Sequence, residues 1–141
     1  MQTTTRADLA SHLRLTVART ARRLRQEAGS ELSPSMTAAL ATIERHGPMT
    51  PSELAARERI QRPTATRVLA RLEEMGLVGR TPDPQDRRSS LVSVTPPASA
   101  LLAELRTRKT AFLAERLEGL EADDRAVLER AADILERMLA E

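Results

Sequence analysis

Proline does the first sorting in this chain. Pro34, Pro51 and Pro63 each stand where a run of helical spacing begins, and Pro96-Pro97 opens another. Proline suits the first turn of a helix, where its missing N–H would be unpaired anyway, and disrupts any later turn. These positions therefore mark starts. Ser33 and Thr50 precede two of them as capping hydroxyls, and Thr50-Pro51-Ser52-Glu53 is a capping box. Gly29, His46-Gly47-Pro48 and Gly76 mark the stops, and Gly119 interrupts the last long helical stretch.

Between these marks the apolar residues keep helical spacing. Arg6 to Ala28 holds no Gly or Pro, and Leu9, Leu13, Val17, Ala21, Leu24 and Ala28 form one face of a long amphipathic helix. Residues 1 to 6 before it read as a loose terminus. Met36, Leu40 and Ile43 line the second helix. Leu54 and Ala55 line a short third one, from Pro51 to about Arg59. Val68, Leu69, Leu72 and Met75 face inward on a fourth, which Pro63 opens and which runs to Met75.

The period then changes. Leu77-Val78-Gly79-Arg80 and Ser90-Leu91-Val92-Ser93-Val94 read as two short strands, and Thr81 to Arg88 between them is all turn and charge. A fifth helix follows, with Leu101, Leu105, Phe112 and Leu117 on its apolar side, widened by Leu102 and Leu113. A sixth begins at Asp123-Asp124 and carries Val127, Leu128, Ala131, Ile134, Leu135, Met138 and Leu139. The order is four helices, a basic-tipped hairpin and two helices, with a tight turn between the third and fourth. That is a mainly α, winged helix-turn-helix layout. The winged unit is expected over residues 33–96, and a helical dimerisation region over 1–32 and 97–141. The terminal helices carry more apolar surface than so small a middle can cover, so a homodimer of the first, fifth and sixth helices is the economical solution.

Charge adds direction. Of 22 basic residues 21 are Arg, and only Lys109 is Lys. Residues 57 to 88 hold eight Arg against five acids, whereas 115 to 141 hold nine acids against four Arg. A basic middle with an acidic end suggests a face turned to a polyanion. The guanidinium is a planar fork suited to phosphate and guanine.

Other classes drop out. The chain has no Cys and two His, which removes thiol chemistry and leaves no expected metal site or cofactor. No 18-residue apolar run or leader-like segment occurs, so no membrane partner and a cytoplasmic location are expected. The five Gly never form a phosphate-cradling loop, and no Ser–His arrangement is recognisable, so no catalytic residues and no enzyme are expected. A winged-helix module that binds protein without specific DNA binding is the alternative; Arg62, Arg67 and Arg71 argue against it.

Residues 66 to 95 resemble the MarR family of bacterial transcription regulators. The shared features are Thr66-Arg67, Arg71-Leu72-Glu73, Gly76-Leu77-Val78, Arg80, Asp83-Pro84, Asp86-Arg87-Arg88, Val92 and Thr95. The chain departs from the family at Pro96-Pro97-Ala98, where a Gly is usual, and in its scarcity of aromatic residues. The resemblance implies a sequence-specific DNA-binding regulator, a homodimeric repressor of a pseudo-palindromic operator, with a small-molecule effector that releases it.

A helix in the major groove reads base edges with its first turns. Here those turns carry Gln61, Arg62, Thr64, Thr66 and Arg67, on what is otherwise a solvated polar face. Arg71, one turn on, is a candidate for the phosphate backbone. Along a strand, Asp86 and Arg88 would share a side, so the carboxylate could brace the guanidinium. The resemblance places Arg88 in the minor groove, with Arg87 or Arg80 on phosphate. Thr50 and Ser52 are further phosphate candidates, Thr50 serving equally as a plain cap. His12 lies near where family members hold effectors. Met36, Leu40 and Ile43 fit the wall of such a pocket or an ordinary core stripe.

Overall fold

The computed structural model describes residues 3–140. In chain order the elements are α1 (Arg6–Ala28), α2 (Pro34–His46), α3 (Pro51–Glu58), α4 (Arg62–Glu74), β1 (Val78–Pro82), β2 (Ser90–Val94), α5 (Pro96–Glu118) and α6 (Ala122–Leu139). The expected mainly α, winged order is what forms. The loose-terminus expectation for residues 1 and 2 lies outside the described residues. At Thr5 it fails, because Thr5 and Asp8 cap α1 reciprocally. The Asp8 N–H donates to Thr5 Oγ1 at 3.1 Å, and the Thr5 N–H and hydroxyl donate to Asp8 Oδ2 at 3.1 and 2.6 Å.

The caps read from the sequence do their work. Ser33 Oγ accepts from the Met36 N–H, and Thr50 Oγ1 from the Glu53 N–H, each at 3.2 Å. Gly29, Gly47 and Gly76 all take positive φ, which lets the chain leave each helix without a Cβ clash. Helix α4 starts at Arg62, one residue before Pro63, and gives Met75 up to its C-cap. Proline costs no bond there either, since the first four helical N–H groups have no partner inside the helix.

The chain divides into two compact units. One spans Gly29–Arg106. Its helices α2, α3 and α4 pack on one another, and the antiparallel hairpin packs on them. Leu40, Ile43, Leu54, Ala65, Leu69, Leu72 and Val92 fill the core with at most 1 % exposure. Two expectations for α4 change. Ala65 is buried in place of Val68, which is half-buried, and Met75 is exposed. Positions 65, 69 and 72 follow one narrow helical stripe, and Met75 stands beyond the last turn. A further link, unforeseen in the sequence, pairs Met49 with Val92 through two backbone bonds of 3.1 and 2.8 Å. It adds the α2–α3 connection to the hairpin as a short third edge.

The boundary inside α5 also differs from the expected 96/97 and falls between Arg106 and Thr107. The reason is burial. Ala98, Leu102 and Leu105 are at most 2 % exposed, and Arg106 pairs with Glu44 of α2 at 2.9 Å. Leu101, expected inside, is only half-buried. The first three turns of α5 thus belong to the winged unit.

The other unit comprises the chain up to Ala28 and from Thr107 onward. Arg108 donates to the Ala28 carbonyl at 2.8 Å, closing the end of α1. Arg23 and Arg116 lie over the Phe112 ring, 5.6 and 4.9 Å from its centroid. Helix α6 buries no residue: Val127 and Met138 are each 65 % exposed, and Leu139 is 80 % exposed. Leu9 and Val17 of α1 are also more than half exposed. Among the described residues, no helix is long and apolar enough to cross a membrane.

Candidate nucleic-acid interface

The turn that aims α4 is three residues long. Arg59 takes the left-handed conformation at φ 54°, ψ 44°, and the Ile60 N–H bonds the Ala55 carbonyl at 3.0 Å. This is the usual way a helix stops with a reversal, made here without glycine. Left-handed backbone costs an L-residue roughly 1–2 kcal/mol, which the packing of α3 on α4 has to offset. Nothing in the sequence signals it.

Helix α4 then sorts its side chains by angle, at about 100° per residue. Ala65, Leu69 and Leu72 point to the core. On one flank stand Arg62, Thr66 and Glu73. On the other stand Thr64, Val68 and Arg71, which with Arg67, Ser33, Ser35 and Met36 line a groove of about 360 Å³. Arg62, Thr66 and Arg67 are exposed, and Thr64 is half-buried. Gln61 is the N-cap residue, and its side chain makes no capping bond. The five positions expected on one reading face are therefore split between the outer surface and the two flanks.

The wing is built from short-range bonds. Its strands pair from Val78↔Val94 to Pro82↔Ser90. Thr81 and Pro82, expected in the turn, extend β1; proline is tolerated at the end of an edge strand. At the tip the Asp86 carboxylate accepts from the Arg88 backbone N–H at 2.9 Å, and the Ser89 N–H bonds the Asp86 carbonyl at 3.0 Å. The Gln85 N–H bonds the Asp83 carboxylate at 3.0 Å. Asp86 and Arg88 lie in this turn and not on a strand. The expected brace between carboxylate and guanidinium is accordingly replaced by an Asx turn, because a short acid reaches the amide two residues on.

Arg80 leaves β1 and reaches back to α4. Its Nε donates to Glu73 Oε2 at 2.8 Å, and one terminal nitrogen donates to Ser90 Oγ at 3.2 Å. At the hairpin root the Thr95 hydroxyl donates to the Gly76 carbonyl at 2.8 Å. Arg62, Arg67, Arg87 and Arg88 have no acidic partner among the described residues. Arg71 meets Glu74 at 3.6 Å with both side chains largely exposed, a contact worth little in water. Thr50 is half-buried and spends its oxygen lone pair on the cap, and Ser52 is exposed.

The residues expected to wall an effector pocket are divided between the two units. Leu40 and Ile43 fill the core of the winged unit, and only Met36 opens onto the α4 groove. His12 is exposed on α1 in the other unit. That unit has a groove of its own, about 530 Å³, lined by Arg19, Thr20, Arg23, Phe112 and Arg116. Among the described residues no cluster of His, Asp or Glu could hold a metal.

The sequence pattern of the MarR family matches residues 32–90. A protein of Mycobacterium leprae, named an uncharacterized HTH-type transcriptional regulator, is 43 % identical over 136 residues, covering 96 % of this chain and 95 % of its own. The fold is similar to a MarR family protein of Bacillus stearothermophilus, with a TM-score of 0.82 at 24 % identity, covering 100 % of this chain and 99 % of that one. It is also similar to a cysteine-to-serine mutant of MarR from E. coli solved with operator DNA, with a TM-score of 0.70 at 25 % identity and 94 % of each chain covered. The match spans the helix-turn-helix and most of the wing, and the full-length relative carries it across nearly the whole sequence: the chain belongs to the MarR family of transcriptional regulators.

Proposed function

We propose that this protein is a sequence-specific regulator that binds duplex DNA as a homodimer and represses from a pseudo-palindromic operator. The observation that carries the reading is the set of unpaired guanidiniums, Arg62 and Arg67 on α4 and Arg87 and Arg88 on the wing, in one winged unit. Unpaired Arg on both a recognition helix and a hairpin tip suits a polyanion contacted at two places. The E. coli MarR mutant with a similar fold was solved with operator DNA.

In this reading Gln61, Arg62, Thr66 and Arg67 address base edges in the major groove. Arg88 enters the narrow minor groove, where negative potential is strongest. Arg87, Arg71, Thr64, Ser52 and the Thr50 hydroxyl take phosphates. The uncovered apolar residues of α1 and α6 supply the dimer interface, because burying them removes apolar surface from water at about 25 cal/mol per Å². Two recognition helices related by a two-fold axis then read half-sites about 10 bp apart.

An effector would act by changing the spacing of the two helices until both grooves cannot be met together. The guanidinium-lined groove at Phe112 suits an anionic effector better than the filled core around Leu40 and Ile43. Action on chromosomal DNA places the protein in the cytoplasm.

The test is a fluorescence titration with the gene's own upstream duplex at several salt concentrations. The expected result is a steep linear fall of log affinity with log salt. A specific-to-nonspecific ratio of about 10³ or more is expected with it. Equal affinity for a shuffled duplex would reduce the protein to a nonspecific binder.

A further inference from the structure

Glu73 is an acid on the flank of α4 that also carries Arg62 and Thr66. On a surface meant for a polyanion it should weaken binding by repulsion. It is held instead by Arg80, at 2.8 Å, and Arg80 holds Ser90 on the opposite strand at 3.2 Å. One guanidinium thus joins the recognition helix to both strands of the wing.

We propose that Glu73, Arg80 and Ser90 are positioning residues: together they fix the wing tip relative to the reading flank of α4, and Arg80 acts through the wing and not on a phosphate. The proposal rests on the reading that the wing contacts DNA. The mechanics follow from the hairpin. A two-stranded ribbon is marginal by itself and twists strongly. Here it is pinned at its root by Thr95 on Gly76 and at its middle rung by the Met49–Val92 bridge. Pinned only there, the half of the ribbon beyond Val92 would swing as a lever. Arg80 stands opposite Val92, on the rung the bridge already holds, but its guanidinium reaches Ser90, which pairs with Pro82 on the last rung, so the Glu73 tie fastens the outer half of the ribbon and leaves only the 83–89 loop beyond it. A preorganised tip loses less freedom on entering a groove.

Charge and position predict opposite signs for the same substitution, which makes the test decisive. Glu73→Ala removes an acid from an exposed helical site with a good helix former, so folding is retained. Glu73→Gln removes the same charge but leaves a carbonyl that accepts from Arg80. Hydrogen exchange of the free full-length protein is read for the segment 81–92. Binding is read with the gene's own upstream duplex, in a long form and in one trimmed of the operator flanks.

The expected result for Glu73→Ala is faster exchange in the wing and a roughly five-fold weaker hold on the long duplex, the scale of one exposed ion pair at its upper range. Affinity for the trimmed duplex should not fall. Glu73→Gln should recover part of both losses. Unchanged wing exchange in Glu73→Ala would overturn the tie. Tighter binding of the long duplex by both variants would overturn the role and put Arg80 on phosphate. Wild-type protein that binds long and trimmed duplex equally would refute the wing contact itself, and the exchange rates would still decide whether the tie exists.

Discussion

The carboxylate of Asp86 holds the backbone N–H of Arg88 at 2.9 Å. The acid therefore shapes the turn that carries the arginine. Asp86→Asn keeps an acceptor for that N–H while removing a negative charge, and Asp86→Ala removes both. The Asn variant should bind DNA at least as tightly as wild type, and the Ala variant should lose about 1 kcal/mol, the ordinary worth of one such bond. Equal losses in the two variants, measured by titration on one duplex, would make the charge and not the turn the important feature.

Arg88→Ala should lose affinity selectively on operators with AT-rich flanks, since a narrow minor groove concentrates negative potential. Thermal unfolding should not change, because the side chain is exposed and has no acidic partner among the described residues. Full affinity on AT-rich flanks would remove the minor-groove role.

Substitution of Arg62 or Gln61 by Ala should relax discrimination at one base pair per half-site by about 1–3 kcal/mol. Competition with singly substituted duplexes reads this directly. A loss spread evenly over all sequences would assign the residue to phosphate.

Val127→Glu with Met138→Glu should weaken self-association, because both side chains are two-thirds exposed in the single chain and have apolar surface to bury. Sedimentation should show a shift toward monomer, and DNA affinity should fall with it. A variant that sediments as wild type would move the interface away from α6.

Asp8 offers a pH test. The Thr5 hydroxyl, and after it the Thr5 backbone N–H, hold its carboxyl below the ordinary Asp value. A folded-state pKa below the unfolded one means that the contribution is present above the unfolded pKa and is lost as pH falls through the folded one. The first turn of α1 should fray on acidification past the usual carboxylate range and stay unchanged toward alkaline pH. Amide exchange at Asp8 reports it, and Thr5→Ala, which removes the hydroxyl and keeps the backbone N–H, should reduce the dependence without abolishing it.

Helix starts and stops were legible because they depend on neighbours in sequence. Pro34, Ser33, Thr50 and Gly76 act within a turn of their own positions, and the structure puts each where local chemistry requires. The wing motif was legible for the same reason, down to the Asp and Arg at its tip. The geometry between Asp86 and Arg88 departs from strand alternation because both residues lie in a turn and not on a strand. The division of α4 into two flanks was also beyond the sequence, since it depends on which side of the helix meets α2 and which meets the wing.

The amino-acid order by itself determined the elements, their sequence along the chain and the family pattern, all of which rest on spacing and short-range bonding. Tertiary structure alone decided three things. It decided that Met49 pairs with Val92, that Arg80 ties to Glu73 and Ser90, and that the first turns of α5 belong to the winged unit. Each depends on groups brought together by packing, and a side chain's partner across a fold is set by the core that positions both backbones.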